Sequence, residues 1–342
     1  MVWLFVVLLI VLALFCFFLT ASAVILRSQL KPADTSARTG NETSQIPGVS
    51  SSLSAHVRDP VIMEPLLAAK KRWFSYPLET ITINAQDKTP LCAYFWRSKD
   101  VFSEDAVILV HGFMDSAAGL SYLAEEYHRK GFSVLSVDCR GHGSSGGKYI
   151  SMGYKDADDL LLWTAQLQTI LGNSVHIILH GVSMGSSAVL RALSLPSFPH
   201  TTVVLAVSDS CFSDYSKQMF IHLGSFFPDK GFQNIIRLIL LKFLSLSNFI
   251  LQGFFFEWHS PKKALASKNS LPSSKIPIIF FHGGLDSMVP LEDVTILYNV
   301  CNEPKKQVVV YKAPHIGSFF YNTEIYMKTI EEYFNSKNLI GV

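Results

Sequence analysis

Six short apolar runs rich in β-branched residues alternate with segments of helical length in this sequence. The runs lie at residues 106–110, 133–137, 175–179, 203–207, 276–281 and 307–311. Residues 120–130 and 156–171 are two of the helical segments between them. Continuous apolar strands that alternate with helices are typical of a parallel sheet with helices on both faces. We therefore expect an α/β fold built on a mostly parallel, twisted sheet.

Two further strand-like runs come before this pattern. They lie at residues 79–84 and 91–96, on either side of a turn-forming stretch at 86–88, and a helical pattern at 62–74 precedes them. Short strands joined by such a turn form a hairpin. The hairpin predicts an antiparallel N-terminal edge of the sheet, and ligands are expected at the carboxyl ends of the parallel strands.

The first 26 residues are the most apolar part of the chain. No charged side chain occurs from residue 2 to residue 26, and a helix of this length crosses the hydrocarbon core of a bilayer. We interpret residues 1–26 as a transmembrane anchor, which predicts a single-pass membrane protein. A cleaved signal peptide, and hence a secreted protein, is the alternative, because residues 21–23 have a small-x-small cleavage pattern. Basic residues after the run favour a cytoplasmic domain.

Residues 27–60 are rich in Ser, Thr, Gly, Asn and Pro and contain few large apolar residues. Such a segment cannot bury enough surface to fold, so we expect a disordered linker. A glycosylation pattern at residues 41–43 falls within it and is interpreted as a chance match. The α/β domain is then expected to extend over residues 61–342.

An insertion at about residues 212–260 separates two of the predicted strands, and its middle is almost wholly Leu, Ile and Phe. We expect a helical cap here, and an all-round apolar helix is most simply a buried one. Part of the cap is also expected to line an apolar acyl pocket or to lie against the bilayer. The charges of Arg237 and Lys242 disfavour a second membrane span. Asn248 and Gly253 further interrupt the apolar pattern.

Charge and cysteine content exclude several kinds of partner. The formal net charge is +2 and no basic cluster is interleaved with aromatic residues, so we expect no nucleic-acid partner. The five cysteines are scattered without a CxxC pair and are interpreted as free, mostly buried thiols. No HExxH, calcium-loop or dinucleotide pattern occurs, so neither a metal nor a cofactor is expected.

The pentapeptide Gly-Val-Ser-Met-Gly at residues 181–185 follows one of the apolar runs, and a helix-forming run at 188–195 comes after it. A serine in this position sits on a tight strand-to-helix turn, in a strained backbone conformation that exposes its hydroxyl. Glycines are needed on both sides because larger side chains would collide with the adjoining strand and helix. Ser183 is therefore the candidate nucleophile.

Two backbone N–H groups are the candidate oxyanion donors. That of Met184 lies at the start of the predicted helix, where unpaired donors and the helix dipole favour negative charge. That of Phe113 follows a strand in the sequence His-Gly-Phe, where Gly112 lets the chain turn sharply. His111 is interpreted as structural, packed under the loop and bonded to the backbone.

His315 and Asp286 supply what a serine nucleophile requires. A hydroxyl becomes nucleophilic when an imidazole takes its proton, and a carboxylate holds that imidazole in the required tautomer. His315 follows the last apolar run, and Asp286 lies in a glycine-rich loop after the preceding one. Asp209, after another run, is a second candidate for the acid and is interpreted as a turn former. His142 and His282 are rival bases that are interpreted as structural.

A glycine-rich stretch at residues 138–147 also follows a strand-like run. It has neither the ending of a phosphate-binding loop nor a GxGxxG pattern, so nucleotide binding is not expected. We expect Asp138 and Arg140 to form an ion pair that shapes this loop.

From about residue 79 to the C-terminus the chain resembles the α/β-hydrolase superfamily. Within it, the sequence is most similar to bacterial membrane-associated serine hydrolases related to the serine aminopeptidase S33 and monoacylglycerol-lipase-like group. The resemblance is carried by residues 111–113, 138–150, 180–185 and 282–286 and by His315. It implies Ser183 as nucleophile, Asp286 as acid, His315 as base, and Phe113 and Met184 as oxyanion donors. It implies no particular substrate, since members of this fold cleave esters, amides and other bonds.

Our leading hypothesis is a serine hydrolase that cleaves carboxylic esters, including lipid-like acyl esters, through an acyl-enzyme intermediate. Its partners are then a small-molecule ester and, through the N-terminal helix, a membrane. The apolar cap favours an ester over a peptide substrate. Two alternatives stay open: a peptidase or amidase of the S33 type, and a catalytically silent protein of the same fold that serves as a binding module.

Overall fold

The strands and helices are taken from a computed structural model that describes residues 2–31, 59–199, 201–227, 231–267, 276–302 and 304–336. Most of the predicted linker, with the glycosylation pattern at 41–43, lies outside the described residues. The strands are β1 (Glu79–Asn84), β2 (Pro90–Trp96), β3 (Asp105–Val110), β4 (Ser133–Val137), β5 (His176–Val182), β6 (Val203–Asp209), β7 (Ile278–Gly283) and β8 (Lys305–Val310). The helices are α1 (Val2–Leu30), α2 (Pro60–Trp73), α3 (Ser121–Arg129), α4 (Asp156–Leu171), α5 (Met184–Ala192), α6 (Tyr215–Leu223), α7 (Phe232–Gln252), α8 (Pro261–Ala266), α9 (Leu291–Val300), α10 (Ser318–Tyr321) and α11 (Thr323–Asn335).

The eight strands that the structure describes form one sheet in the order β1-β2-β4-β3-β5-β6-β7-β8. The first two strands form an antiparallel hairpin with Ile81 opposite Ala93, and β2 also pairs antiparallel with β4. All other neighbours pair in parallel. The predicted α/β fold, a mostly parallel sheet with an antiparallel N-terminal edge, is confirmed.

The inner parallel strands are largely apolar because the sheet is covered on both faces there. Every residue of β4, β6 and β7 is buried. One core cluster joins Val107, Ile178 and Phe281 of the sheet to Leu123 of α3 and Ile330 of α11. Burying each large apolar side chain contributes about 1.5–3 kcal/mol. This core fixes the positions of the loops at the carboxyl ends of the strands.

The described residues divide into two units. The larger, Pro32–Ser213 with Pro261–Val342, contains the sheet. The smaller consists of Met1–Lys31 and Asp214–Ser260. Within the smaller unit, α1 packs against α7, and α6 also contacts α7. Four of the cysteines are buried, Cys16 is exposed and all five are free, as the sequence predicted.

Helix α7 departs from one expectation. Among the described residues, Phe232–Gln252 is the helix whose length and composition would allow it to cross a membrane, and Phe18–Leu30 is a shorter apolar segment. The helix is continuous through Asn248, and Gly253 ends it in the left-handed conformation. The expectation of a simply buried apolar helix is wrong, because several of its large apolar side chains are exposed.

Candidate active site

Ser183 alone separates strand β5 from helix α5. Its backbone has φ 52° and ψ −113°, a conformation that residues with a side chain rarely adopt. The strain is held in place because the Ser183 N–H donates to the carbonyl of Asp209, with 2.8 Å between nitrogen and oxygen. The tight strand-to-helix turn predicted for this serine is therefore present.

The two glycines that flank this turn allow the chain to approach itself closely. A Cβ on Gly181 would lie 2.4 Å from the carbonyl oxygen of Gly185. A Cβ on Gly185 would lie 2.1 Å from the carbonyl oxygen of Val110 in β3. Both contacts are to backbone, which cannot move aside, so the predicted need for glycine on each side of Ser183 is confirmed.

Ser183, His315 and Asp286 lie in one line of hydrogen bonds. The Oγ of Ser183 is 2.9 Å from Nε2 of His315, and Nδ1 of His315 is 2.7 Å from Oδ2 of Asp286. A proton on Nδ1, donated to the carboxylate, leaves Nε2 free to accept from the serine hydroxyl. The structure thus brings together three side chains that are up to 132 residues apart in sequence.

The carboxylate of Asp286 is held ionised in a buried position. The backbone N–H groups of Met288 and Val289 donate to its Oδ1, at 2.9 and 2.8 Å. Burial acts to raise the pKa of this carboxyl, but the charge of His315 and hydrogen bonds from His315 and Val289 outweigh it and hold the pKa below its usual range. The group can therefore orient the imidazole and stabilise its protonated form.

The backbone N–H groups of Phe113 and Met184 are available to a ligand. Within the part of the chain that the structure describes, neither donates a hydrogen bond to the protein. Met184 is the first residue of α5, where the helix dipole favours negative charge. A Cβ on Gly112 would lie 3.5 Å from the Cβ of Ser183, which shows that the chain before Phe113 passes directly beside Ser183.

The three histidines that we interpreted as structural form hydrogen bonds with backbone groups. His111 is fully buried, its Nε2 accepts from the N–H of Cys139 at 3.0 Å, and its Nδ1 is 2.7 Å from the carbonyl of Gly112. His142 Nε2 accepts from the N–H of Met114 at 3.1 Å. His282 Nε2 is 3.0 Å from the carbonyl of Val289, and burial lowers the pKa of this imidazole, although the charge of Asp286 opposes the shift.

Asp209 is not a turn former, and that interpretation is wrong. It is the last residue of β6, it is buried, and its two carboxylate oxygens accept from the hydroxyls of Ser210 and Tyr326 at 2.8 and 2.9 Å. Burial raises its pKa to about 6, with the two hydroxyls opposing the shift. The carboxylate that accepts the hydrogen bond from His315 Nδ1 is that of Asp286 instead.

The predicted ion pair between Asp138 and Arg140 is also wrong. Arg140 is buried and pairs with Asp159 through Nε at 2.6 Å and with Asp87 through Nη1 at 2.5 Å. Asp138 instead accepts from the backbone N–H groups of Ala117 and Ser144, at 2.8 and 2.7 Å. Asp138 and Arg140 thus each shape the glycine-rich loop through other partners, and they do not form an ion pair with each other.

Sequence reasoning missed Ser210. This residue follows β6 directly, has φ 56°, and its Oγ accepts from the backbone N–H of Ile316 at 3.1 Å. Its position after a parallel strand, like that of the other site residues, was the available signal. Among the described residues, no group of three or more His, Cys, Asp or Glu side chains is arranged to hold a metal ion.

Proteins with similar sequences align with about two thirds of the chain. Residues 103–234 match a family model described as serine aminopeptidase, S33. The chain is 26% identical over 238 residues to the uncharacterized protein YqkD of Bacillus subtilis, which covers 68% of this chain and 72% of that protein. It is 25% identical over 255 residues to the uncharacterized protein YfhR of Salmonella typhi, and this match covers 70% of this chain and 75% of that protein.

Solved structures share the architecture of the sheet and its helices. The Pyrococcus furiosus esterase Pf2001 superposes with a TM-score of 0.58 at 24% identity, covering 76% of this chain and 91% of that chain. The α/β hydrolase GrgF from Penicillium superposes with a TM-score of 0.53 at 17% identity, covering 75% of this chain and 97% of that chain. At these identities the likeness shows the fold.

Proposed function

We propose that the chain is a serine hydrolase of the α/β-hydrolase superfamily that cleaves carboxylic esters through an acyl-enzyme on Ser183. The line of hydrogen bonds from Ser183 through His315 to Asp286 carries this proposal. It supplies a nucleophile, a base and an orienting carboxylate within hydrogen-bond distance of one another.

In the proposed reaction, Ser183 Oγ attacks the carbonyl carbon of the ester while His315 Nε2 takes its proton. Negative charge develops on the former carbonyl oxygen, where the N–H groups of Phe113 and Met184 can donate to it. Losing one such donor costs about 3 kcal/mol of transition-state stabilisation. The imidazolium formed at this stage is stabilised by the ionised Asp286.

The second half of the proposed reaction regenerates the serine. His315 gives its proton to the leaving alcohol, then takes a proton from a water molecule that attacks the acyl carbon. Collapse of that second intermediate returns the proton to Ser183 Oγ and releases the carboxylic acid. Each proton transfer in this sequence uses the same imidazole nitrogen, His315 Nε2.

The ester specificity is supported by the esterases among the similar structures, such as Pf2001 of Pyrococcus furiosus. A peptidase of the S33 type is the second candidate, because the matching family model is described as a serine aminopeptidase. We also propose that α1, which is uncharged up to Leu26, anchors the protein in a membrane. A catalytically silent protein would not need the Ser183 to His315 hydrogen bond.

Labelling with a fluorophosphonate probe tests the proposal on membranes that contain the full chain. We expect the wild type and Ser194→Ala to be labelled and Ser183→Ala to be unlabelled. Ser194 is a matched control, since it is a serine just after α5 whose hydroxyl donates to the carbonyl of Arg191. Equal labelling of Ser183→Ala would contradict the role of Ser183.

Turnover of matched substrates then separates the two candidate activities. We expect hydrolysis of p-nitrophenyl esters and none of aminoacyl p-nitroanilides. Faster cleavage of the anilides would favour the peptidase.

A further inference from the structure

Helix α7 has five buried polar side chains and six exposed large apolar side chains. The buried polar residues are Arg237, Ser245, Ser247, Asn248 and Gln252. The exposed apolar residues are Phe232, Ile235, Leu238, Ile239, Phe249 and Ile250. A surface helix in water has the opposite arrangement, because exposed apolar area is unfavourable there. The surroundings of α7 are therefore expected to be apolar.

The exposed apolar residues lie on one side of α7. At 3.6 residues per turn, they fall within an arc of about 120°, which we call the α7 apolar face. Ile250 is 62% exposed and Phe232 is 73% exposed. Lys242 is the one charged residue that falls within this arc, and its ammonium group pairs with Glu257 at 2.6 Å, which lowers the cost of placing it in apolar surroundings.

The α7 apolar face is continued by the helix that carries the proposed anchor. In the smaller unit, Ser22 Oγ of α1 lies 2.7 Å from Ser247 Oγ of α7, and Ser247 donates to the carbonyl of Leu19 at 3.3 Å. The ring of Phe243 is 5.4 Å from that of Phe15. Small hydroxyl side chains that bond across a helix pair are typical of helices packed within membranes.

We propose that the α7 apolar face lies in a lipid bilayer beside α1, with lipid acyl chains as its partner. Three observations select lipid over water or protein. The polarity of α7 is reversed, the adjoining helix α1 has no charge up to Leu26, and exposed apolar side chains of α1, Phe18 and Ile25, extend the same kind of surface. The membrane contact then consists of two helices from distant parts of the sequence, rather than one N-terminal anchor.

Depth measurements on the full chain in phosphatidylcholine nanodiscs test this proposal independently of catalysis. In a Cys16→Ser background, an environment-sensitive fluorophore is attached at Ile239→Cys or, separately, at Ile235→Cys. Lys99→Cys, an exposed site in the larger unit, is the matched control. We expect nitroxide carried on lipid acyl chains to quench the two α7 labels roughly threefold more than the Lys99 label, and a water-soluble quencher to show the reverse order.

Two results would overturn the proposal. Quenching of both α7 labels by the water-soluble agent as strongly as that of the Lys99 label would place the face in water. Protection from the water-soluble agent without quenching by the lipid nitroxide would mean that protein, such as a second copy of this chain, covers the face. Because neither readout depends on Ser183, failure here leaves the proposed hydrolase activity untouched, and loss of activity leaves this proposal untouched.

Discussion

The hydroxyl of Ser210 accepts a hydrogen bond from the backbone N–H of Ile316, with 3.1 Å between Ser210 Oγ and Ile316 N. The same hydroxyl donates to Asp209 Oδ1 at 2.8 Å. The end of β6 is thereby connected to the loop that carries His315. Because Ile316 has φ 55°, the loop is held in a strained conformation that this contact supports.

Replacing Ser210 with alanine is expected to slow turnover. The change leaves the N–H of Ile316 and one oxygen of the buried Asp209 unpaired, so the loop that carries His315 relaxes. We expect kcat to fall about tenfold, with KM within about twofold of wild type, since small misplacements of a base reduce the rate of the chemical step. Kinetics normalised to the fraction labelled by a fluorophosphonate probe provide the measurement.

Ser208→Ala is the matched control for this substitution. Ser208 lies on β6, two residues before Ser210, and its hydroxyl is 2.6 Å from that of Ser186. We expect its kcat per labelled site to match that of wild type. Equal losses of kcat in the two variants would indicate a general effect of removing a buried hydroxyl.

The two candidate acids are expected to respond differently to conversion to asparagine. Asp286→Asn removes the acceptor for His315 Nδ1–H and favours the wrong tautomer, so kcat is expected to fall by about 10⁴-fold, as in other Ser-His-Asp sites. Asp209→Asn keeps the Asp286 to His315 hydrogen bond and is expected to reduce kcat by less than about tenfold. Steady-state ester hydrolysis measures both. The reverse order would assign the acid to Asp209.

The carboxyl of Asp209 makes stability depend on pH in a defined direction. Burial raises its pKa from 3.8 to about 6, so the folded chain holds this proton more tightly than the unfolded chain. Its stabilising contribution is complete below pH 3.8 and is lost as the pH rises to about 6. The side-chain amide of the Asp209→Asn variant does not titrate, so we expect this variant to gain roughly 3 kcal/mol relative to wild type between about pH 4 and pH 6.5.

The measurement is the difference in free energy of unfolding between Asp209→Asn and wild type in detergent, followed across this pH range. Taking the difference removes most of the opposite trend from Asp286, whose pKa is lowered mainly by His315, which both proteins contain. A difference that stays constant with pH would contradict the raised pKa of Asp209.

Replacing each of two glycines near Ser183 with alanine is expected to have different effects on stability and on activity. A methyl group on Gly185 would lie 2.1 Å from the carbonyl oxygen of Val110, so Gly185→Ala is expected to destabilise the fold by more than about 3 kcal/mol. A methyl group on Gly112 would make only ordinary contacts of 3.5 Å, with Ser183 and Val182. Gly112→Ala is therefore expected to stay within about 1 kcal/mol of wild type in stability.

The activity of Gly112→Ala is expected to fall at least about tenfold despite its stability, because the methyl group would lie beside Ser183, where the proposed reaction requires the substrate carbonyl to approach. Thermal unfolding and ester hydrolysis, measured on the same preparations, separate the two effects. A fully active Gly112→Ala variant, or a Gly185→Ala variant with the wild-type melting temperature, would contradict the close approaches described here.

The strands and the positions of the candidate residues followed from local sequence. Apolar runs predicted the positions of β3 to β8, and every residue of β4, β6 and β7 is buried, as expected where a sheet is covered on both faces. The places of Ser183, Asp286 and His315 just after three of these strands predicted that they would meet, since parallel strands bring their carboxyl ends to one edge. Their catalytic roles are tested by the experiments above.

The contacts of buried charges did not follow from sequence. Asp138 was the nearest acid to Arg140 along the chain, yet Arg140 pairs with Asp159 and Asp87, which are 19 and 53 residues away. Only the packing of α4 and the hairpin turn against this loop decides that choice. The orientation of α7 could not be predicted from sequence either, because its composition does not show which side of the helix packs against other parts of the protein.

The carbonyl of Asp209 holds the N–H of Ser183, while its carboxylate reaches, through Ser210, the chain next to His315. One buried residue is thus bonded to both segments of chain that carry the proposed proton donor and acceptor. If the proposed reaction takes place, conservative changes at the end of β6 offer a way to alter its rate without changing any residue that contacts the substrate.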